Sequence, residues 1–294
     1  MKRLPKPIRR VGLVANTEKA GSRPLVIEAA RLLAGHGLEV LADTSTVRLS
    51  GLSLPRQRNV RKLAEACDLL LVFGGDGTIL RVAREIAGSP TPLLGINVGR
   101  LGFLAQVTSE RLPDAVQQIV TGDFRVEARP LIEASRRSSP RSKPLLALND
   151  FVFTRGEISR MIELEVAVDD EELTRYRCDG LIVASPTGST AYSLAAGGAI
   201  VSPTARVFTL TPICPLTLSN RSVVLDLDST IVVRVCTGRL RTHLTADGQV
   251  AVDLRVGDQI AIRRAKLEVL LLRLGGNSFF QTLRQKLHWS GSHA

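Results

Sequence analysis

The first part of the chain alternates between short, continuously apolar runs and longer stretches whose apolar residues recur every three or four positions. "VGLVAN" (Val11–Asn16), "LEVLAD" (Leu38–Asp43), "DLLLVFGG" (Asp68–Gly75) and "TPLLGINVG" (Thr91–Gly99) are of the first kind and predict strands buried on both faces. "SRPLVIEAARLLAGHG", "NVRKLAEAC", "GTILRVAREIAG" and "SERLPDAVQQIVTG" are of the second kind and predict helices, the first with Ser22 as cap and Pro24 in its first turn. Strand and helix in strict alternation predict a parallel α/β sheet. After Phe124 the period changes to two, in "MIELEVAV", "TIVVRVC" and much of Arg239–Leu274. The "DDEE" at Asp169–Glu172 and the Asp247–Gly248 pair punctuate hairpins there. The polar "SRRSSPRSKP" (Ser135–Pro144) predicts an exposed hairpin loop, and "SFFQTLRQKLHW" a short amphipathic helix. The expected organisation is an α/β domain over residues 1–125, a β-rich, sandwich-like domain over 126–274, and a tail helix over 275–294.

Composition narrows the partners. The 294 residues carry a net charge of +11, with lysine and arginine scattered and aromatic residues at only 4%. Scattered charge without aromatics argues against a nucleic-acid surface and for small ligands that carry phosphate. No apolar run approaches the ~20 residues of a membrane span. Cys67, Cys178, Cys214 and Cys236 are far apart in sequence, the usage of a reducing compartment, and the expectation is a cytoplasmic protein with all four thiols buried. The four histidines show no metal-ligand spacing, so no all-protein metal site is expected.

Two stretches carry candidate chemistry. In "GGDGT", Gly74, Gly75, Gly77 and Thr78 stand between a strand and a helix, where small residues and helix N–H groups can cradle phosphate. Asp76 sits among them although a carboxylate repels phosphate. Residue type leaves three jobs open: taking a proton from a hydroxyl, helping to position a divalent cation, or capping the helix. The second stretch, "CDGLIVASPTGSTAYSLAAGGAIVSP" (Cys178–Pro203), is rich in small residues and poor in charge, so it is either a close-packed crossing or the wall of a cavity for a flat ligand. Ser189 lacks the frame of a nucleophile. Tyr192 either stacks on a base or fills core. Asn149 and Asp150 in "LND" either bind ribose hydroxyls or make a turn, and Arg160 and Arg177 either meet phosphates or stay solvated.

Taken in order, "GGDGT", "GINVGRLGFL", "LND", "DGLIVASPTGSTAYSLAAGGAIVSP", "LTPICP", "LSNRSVVL" and the tail make the chain resemble the NAD kinases over nearly its whole length. The resemblance implies phosphorylation of NAD to NADP with ATP or polyphosphate as donor and magnesium carried on the donor. It implies Asp76 as the catalytic aspartate acting on the 2′-hydroxyl of the adenosine ribose. It implies NAD contacts from Gly77, Phe103, Asn149, Asp150, Arg160, Arg177, Asp179, Thr190, Ala191, Tyr192, Ser193, Leu194, Ala195 and Gln249. It also implies a homodimer or homotetramer in which the β-rich domains complete each other's nucleotide site, and a tail helix that returns to the first domain. The chain departs from the pattern at Ala184–Ser185, where Ser-Thr is frequent, and at Leu216, where histidine is common. The competing reading is a diacylglycerol-type lipid kinase, which shares "GGDGT" but has no need of "PTGSTAY"; a non-enzymatic nucleotide- or nucleic-acid-binding protein is the second.

Overall fold

The computed structural model describes residues 7–99, 102–139, 142–156, 161–217, 221–236, 242–276 and 278–289. It divides into two compact units, Met1–Ala128 with Val269–Ala294, and Arg129–Glu268.

In the first unit, β1 (Arg10–Ala15), β2 (Glu39–Asp43), β3 (Arg56–Gln57), β4 (Leu69–Gly74), β5 (Leu93–Asn97) and β6 (Ala105–Val107) form one parallel sheet. The order is β5-β4-β1-β2-β3, with β6 on β5. The helices are α1 (Ser22–Gly35), α2 (Thr44–Ser50), α3 (Val60–Ala66), α4 (Asp76–Glu85) and α5 (Leu112–Thr121). The continuously apolar strands are buried on both faces, as their composition requires: every residue of β4 is buried. Leu13, Leu71, Phe73 and Ile96 pack with Val26 and Leu33 of α1 and with Val116 and Ile119 of α5.

Local chemistry sets the helix ends. Asn59 caps α3 by accepting the Lys62 N–H at 2.9 Å. Ser22 does not cap α1 as expected: Gly21 is the capping position, and Ser22 is the first helical residue and buried. The seven-residue α2 has too few turns for a periodic signal and contains β-branched residues; its start is fixed by Asp43, which accepts the Thr46 N–H, and its end by Gly51 in the left-handed conformation.

The second unit is antiparallel. β7 (Phe124–Arg136) enters it and pairs with β8 (Leu145–Ala147), making the expected hairpin around the polar loop. The remaining strands are β9 (Asp150–Arg155), β10 (Ile162–Val168), β11 (Glu171–Cys178), β12 (Gly180–Ala184), β13 (Val207–Ile213), β14 (Val223–Asp226), β15 (Ile231–Val235), β16 (Thr242–Ala246), β17 (Val250–Leu254) and β18 (Gln259–Leu274). One sheet has the order β14-β13-β12-β9-β16-β17, and β11-β10-β15-β18 forms the other layer. Phe151, Phe153, Leu181, Val183, Phe208 and Leu210 face Ile162, Leu164, Val166, Ile231, Val233 and Ile262 in one core. This is the period-two alternation of a sandwich. On the other side of the first sheet, Val152, Ile182 and Ala184 pack with Ala196 and Ile213 near the short α6 (Tyr192–Ala195).

The last part of β18 belongs to the first unit, where Leu271 pairs in parallel with Leu93. The tail helix α7 (Phe279–Leu287) follows it in the same unit, capped by Ser278. Leu283 is buried, whereas Phe280 is 62% exposed and has its ring edge-on to that of Phe279 at 5.5 Å. Cys67 and Cys178 are buried as expected, whereas Cys214 is exposed and Cys236 half-buried. Cys214 stands in a left-handed turn (φ 44°) that turns its side chain out of the core.

Candidate functional site

The first unit holds one candidate cluster, at the junction of β4 and α4. Gly75 is the capping position of α4 and Asp76 its first residue, so the capping role open to Asp76 falls to a residue with no side chain. Its carboxylate turns instead to the segment before β6. Oδ2 accepts the Phe103 N–H at 2.8 Å, and Oδ1 accepts those of Leu104 and Ala105 at 3.1 and 3.0 Å. The approach is possible because residue 102 is glycine: a β-carbon there would lie 2.0 Å from Asp76 Oδ1. The carboxylate is therefore fixed in place, half-buried beside the glycine turn.

Gly74 ends β4, Gly75 is half-buried and Gly77 exposed. Thr78 is buried, its hydroxyl accepting from Asn16 Nδ2 at 3.3 Å. Phe103 is half-buried, its ring 6.4 Å from that of Phe279 on α7. The sequence reading missed Lys19. Its Nζ donates to Val98 O at 2.8 Å and lies 3.3 Å from where a β-carbon on Gly75 would start. Nothing in the residue type or spacing of "VANTEKAGS" marks Lys19, because the chain turn that carries it back to the glycines has no period.

The second unit holds a candidate cluster of its own, where Leu148–Asp150 lead into β9. Asn149 and Asp150 are both buried. Ser185 N–H donates to Asn149 O at 2.8 Å, and Ser185 Oγ donates to Leu148 O at 2.5 Å. Gly188 follows in the same small-residue segment, and a β-carbon there would lie 2.1 Å from Asn149 O. The small residues of "SPTGST" thus serve a close-packed crossing against "LND". The Asp247 carboxylate accepts the backbone N–H groups of Leu148, Asn149 and Asp150. Burial first, and the Asp247 charge second, push the Asp150 carboxyl up to about 7.

Thr190, Ala191 and Leu194 are half-buried, and Ala195 is exposed. Tyr192 is 45% exposed, so its ring does not fill core. Ser193 is buried with its hydroxyl 3.0 Å from that of Thr211, a packing position. Ser189 bonds the Pro186 carbonyl and the Val201 N–H, also structural. Asp179 pairs with Arg155 at 3.3 Å, while Arg177 is exposed and its carbonyl accepts the Leu216 N–H. Gln249 closes the β16–β17 hairpin and is exposed. Arg160 lies outside the described residues, as do Arg100 and Leu101 of "GINVGRLGFL" and residues 218–220 of "LSNRSVVL".

Comparison with known proteins covers both units. The family model for the ATP-NAD kinase N-terminal domain matches residues 11–124, and that for the ATP-NAD kinase C-terminal domain matches residues 148–274. An NAD kinase of Moorella thermoacetica is 41% identical over 285 residues, 97% of this chain and 91% of that protein. One of Thiobacillus denitrificans is 41% identical over 96% of this chain and 98% of that protein. Among solved structures, yeast NADH kinase complexed with NADH superposes with a TM-score of 0.88 at 26% identity, covering 99% of this chain and 90% of that one. An NAD kinase from Archaeoglobus fulgidus in complex with ATP gives 0.76 at 28% identity, covering 96% of this chain and all (100%) of that one. With both domain models matched in order and these relatives aligned nearly end to end, this chain belongs to the ATP-NAD kinase family.

Proposed function

We infer that this chain transfers the terminal phosphoryl group of ATP to the 2′-hydroxyl of the adenosine ribose of NAD, giving NADP. The observation that carries the reading is that the two family matches fall on the two units that hold the glycine turn and the "LND" pair. Full-length likeness to NAD and NADH kinases, across "PTGSTAY" as well as "GGDGT", supports this acceptor over the lipid of a diacylglycerol-type kinase.

Phosphoryl transfer asks a protein for alignment and charge neutralisation more than for covalent chemistry. The N–H groups that open α4 and the small residues Gly74, Gly75 and Gly77 take the donor phosphates, with Thr78 below them. Lys19 supplies a positive charge at the same turn. Magnesium arrives with those phosphates as part of the donor. Among the described residues no three acidic, histidine or cysteine side chains cluster to cage an ion. Asn149 and Asp150 hold the adenosine, with Tyr192 as a stacking face and Arg177, Asp179 and Gln249 at the rim. Asp76, held by three amides, accepts the proton of the attacking hydroxyl.

A homodimer or homotetramer, with the nucleotide site near the subunit interface, is part of the same reading. The end strand β14 with its exposed Val224 and the exposed Leu216 support it. A cytoplasmic placement is also proposed, from the cysteine usage; no helix of the described residues is long and apolar enough to cross a membrane. The test is direct. Purified chain is incubated with NAD and with diacylglycerol, each with ATP or polyphosphate, with and without magnesium. NADP formation is expected, and phosphorylation of the lipid alone would overturn the reading.

A further inference from the structure

We propose that Asp247 is a positioning residue for the nucleotide-binding pair: its buried carboxylate clasps the backbone of Leu148–Asp150 and so sets where Asn149 and Asp150 present their side chains. The proposal rests on the reading that this pair binds NAD.

Register creates the clasp. β16 pairs with β9 so that Ala246 stands opposite Phe151, which brings the residue after Ala246 opposite the residue before Phe151. Asp247 therefore meets Asp150, and its own N–H donates to Asp150 O at 3.0 Å. The chain then reverses through two consecutive left-handed residues, Asp247 (φ 51°) and Gly248 (φ 63°). An aspartate tolerates that conformation, and a hairpin turn accounts for its presence there by itself. A turn does not account for what the side chain does. Asp247 is 8% exposed, and its Oδ1 accepts from Leu148 N at 3.1 Å, Asn149 N at 2.7 Å and Asp150 N at 3.4 Å. Three converging amides in a buried setting form a strong acceptor site for one charge.

The clasp closes on a segment held from the other side as well. Ser185 bonds the carbonyls of Leu148 and Asn149, and Gly188 packs against Asn149 O. The backbone of the pair is thus fixed by Asp247 through its N–H groups and by the "SPTG" crossing through its carbonyls. The same clasp sets a second carboxylate close to Asp150, whose own carboxyl is pushed up to about 7 by burial and then by that charge. Asp150 near neutrality carries a proton part of the time, so it can donate to a ligand oxygen as well as accept from a hydroxyl.

The experiment is steady-state kinetics on Asp247→Gly and Asp247→Asn in the full chain, beside Asn149→Ala and Asp150→Ala. Glycine and asparagine both accept the left-handed backbone, so neither strains the turn. Asp247→Gly is expected to raise KM for NAD about tenfold while KM for ATP stays within about twofold. Asp247→Asn keeps one oxygen for the Asn149 N–H and is expected to recover most of that loss. It also removes the charge beside Asp150, so the pH dependence of kcat/KM for NAD shifts to lower pH. An unchanged KM for NAD in Asp247→Gly overturns the proposal, and if that variant does not fold, an unchanged pH profile in Asp247→Asn overturns it. If the Asp247 variants match the parent while Asn149→Ala and Asp150→Ala raise KM for NAD, only the clasp fails. If those two also leave KM for NAD unchanged, the assignment of the pair fails and the clasp with it.

Discussion

At the scale of single residues, Asp76 shows how neighbours decide what a side chain does. A carboxylate at a helix start ordinarily caps it, yet here the capping position belongs to Gly75 and the carboxylate accepts three amides from residues 103–105. Asp76→Asn keeps the shape and loses the proton acceptor. We expect a folded protein whose turnover falls by about 10²–10⁴-fold, checked by NADP formation alongside circular dichroism. Near-parental turnover in a well-folded sample would sink the role. Asp150 gives a second expectation, in stability. Its folded-state value of about 7 exceeds the ordinary 3.8. Between these two values the folded chain holds a proton that the unfolded chain has released, so this group's contribution to stability declines as pH rises through that window. Asp150→Asn should therefore raise Tm by several degrees at about pH 8 and change it little at about pH 4, while weakening NAD binding. Thermal melts at both pH values, with NAD titrations, check it. The identity of Asp76 and Asp150 as candidates was legible in the sequence. What surrounds each was not: the Asp76 carboxylate accepts a backbone N–H 27 residues away, a group that leaves no trace in residue type, and the Asp247 carboxylate that meets Asp150 lies 97 residues away.

At the scale of elements, the parallel strands and most helices announced themselves because their burial pattern is their sequence pattern. β4 is continuously apolar and continuously buried. The missed or shifted pieces are those set by end chemistry rather than by periodicity, such as α2 with its Asp43 cap and α1 with Gly21 in place of Ser22. The segment before β6 belongs with them. Its glycine at 102 reads as an ordinary turn residue, but it is where the aspartate rests. Gly102→Ala should push the Asp76 carboxylate aside and cut kcat roughly tenfold or more, although Asp76 itself is untouched. Parental kcat in that variant would show that the three amides are incidental. Lys19 offers a contrasting change. Lys19→Met should raise KM for ATP about tenfold and leave KM for NAD alone, because the lost charge sits at the turn proposed to take the donor phosphates. Equal effects on both constants would remove Lys19 from the phosphate turn.

At the scale of the whole molecule, the switch from period 3.6 to period two at Phe124 marked the change of architecture, and the structure places the division at Ala128–Arg129 and again at Glu268–Val269. Oligomerisation is the open expectation at this scale. Light scattering on active protein should report a dimer or tetramer, and a fully active monomer would refute the shared nucleotide site.

The return of β18 has a consequence for how the chain is made. Residues 129–268 are an insertion within the first unit, whose parallel sheet receives Leu271 opposite Leu93 only after that insertion has been synthesised. A ribosome that has emitted α1–α5 and β1–β6 of the first unit has therefore delivered an incomplete domain. The flank of β5 waits through 140 further residues, the count of unit Arg129–Glu268, before its last neighbour arrives. Such a delay favours folding of the inserted sandwich first and closure of the N-terminal sheet around the late arrival. It also leaves an unfinished strand edge for chaperones to guard in the interval.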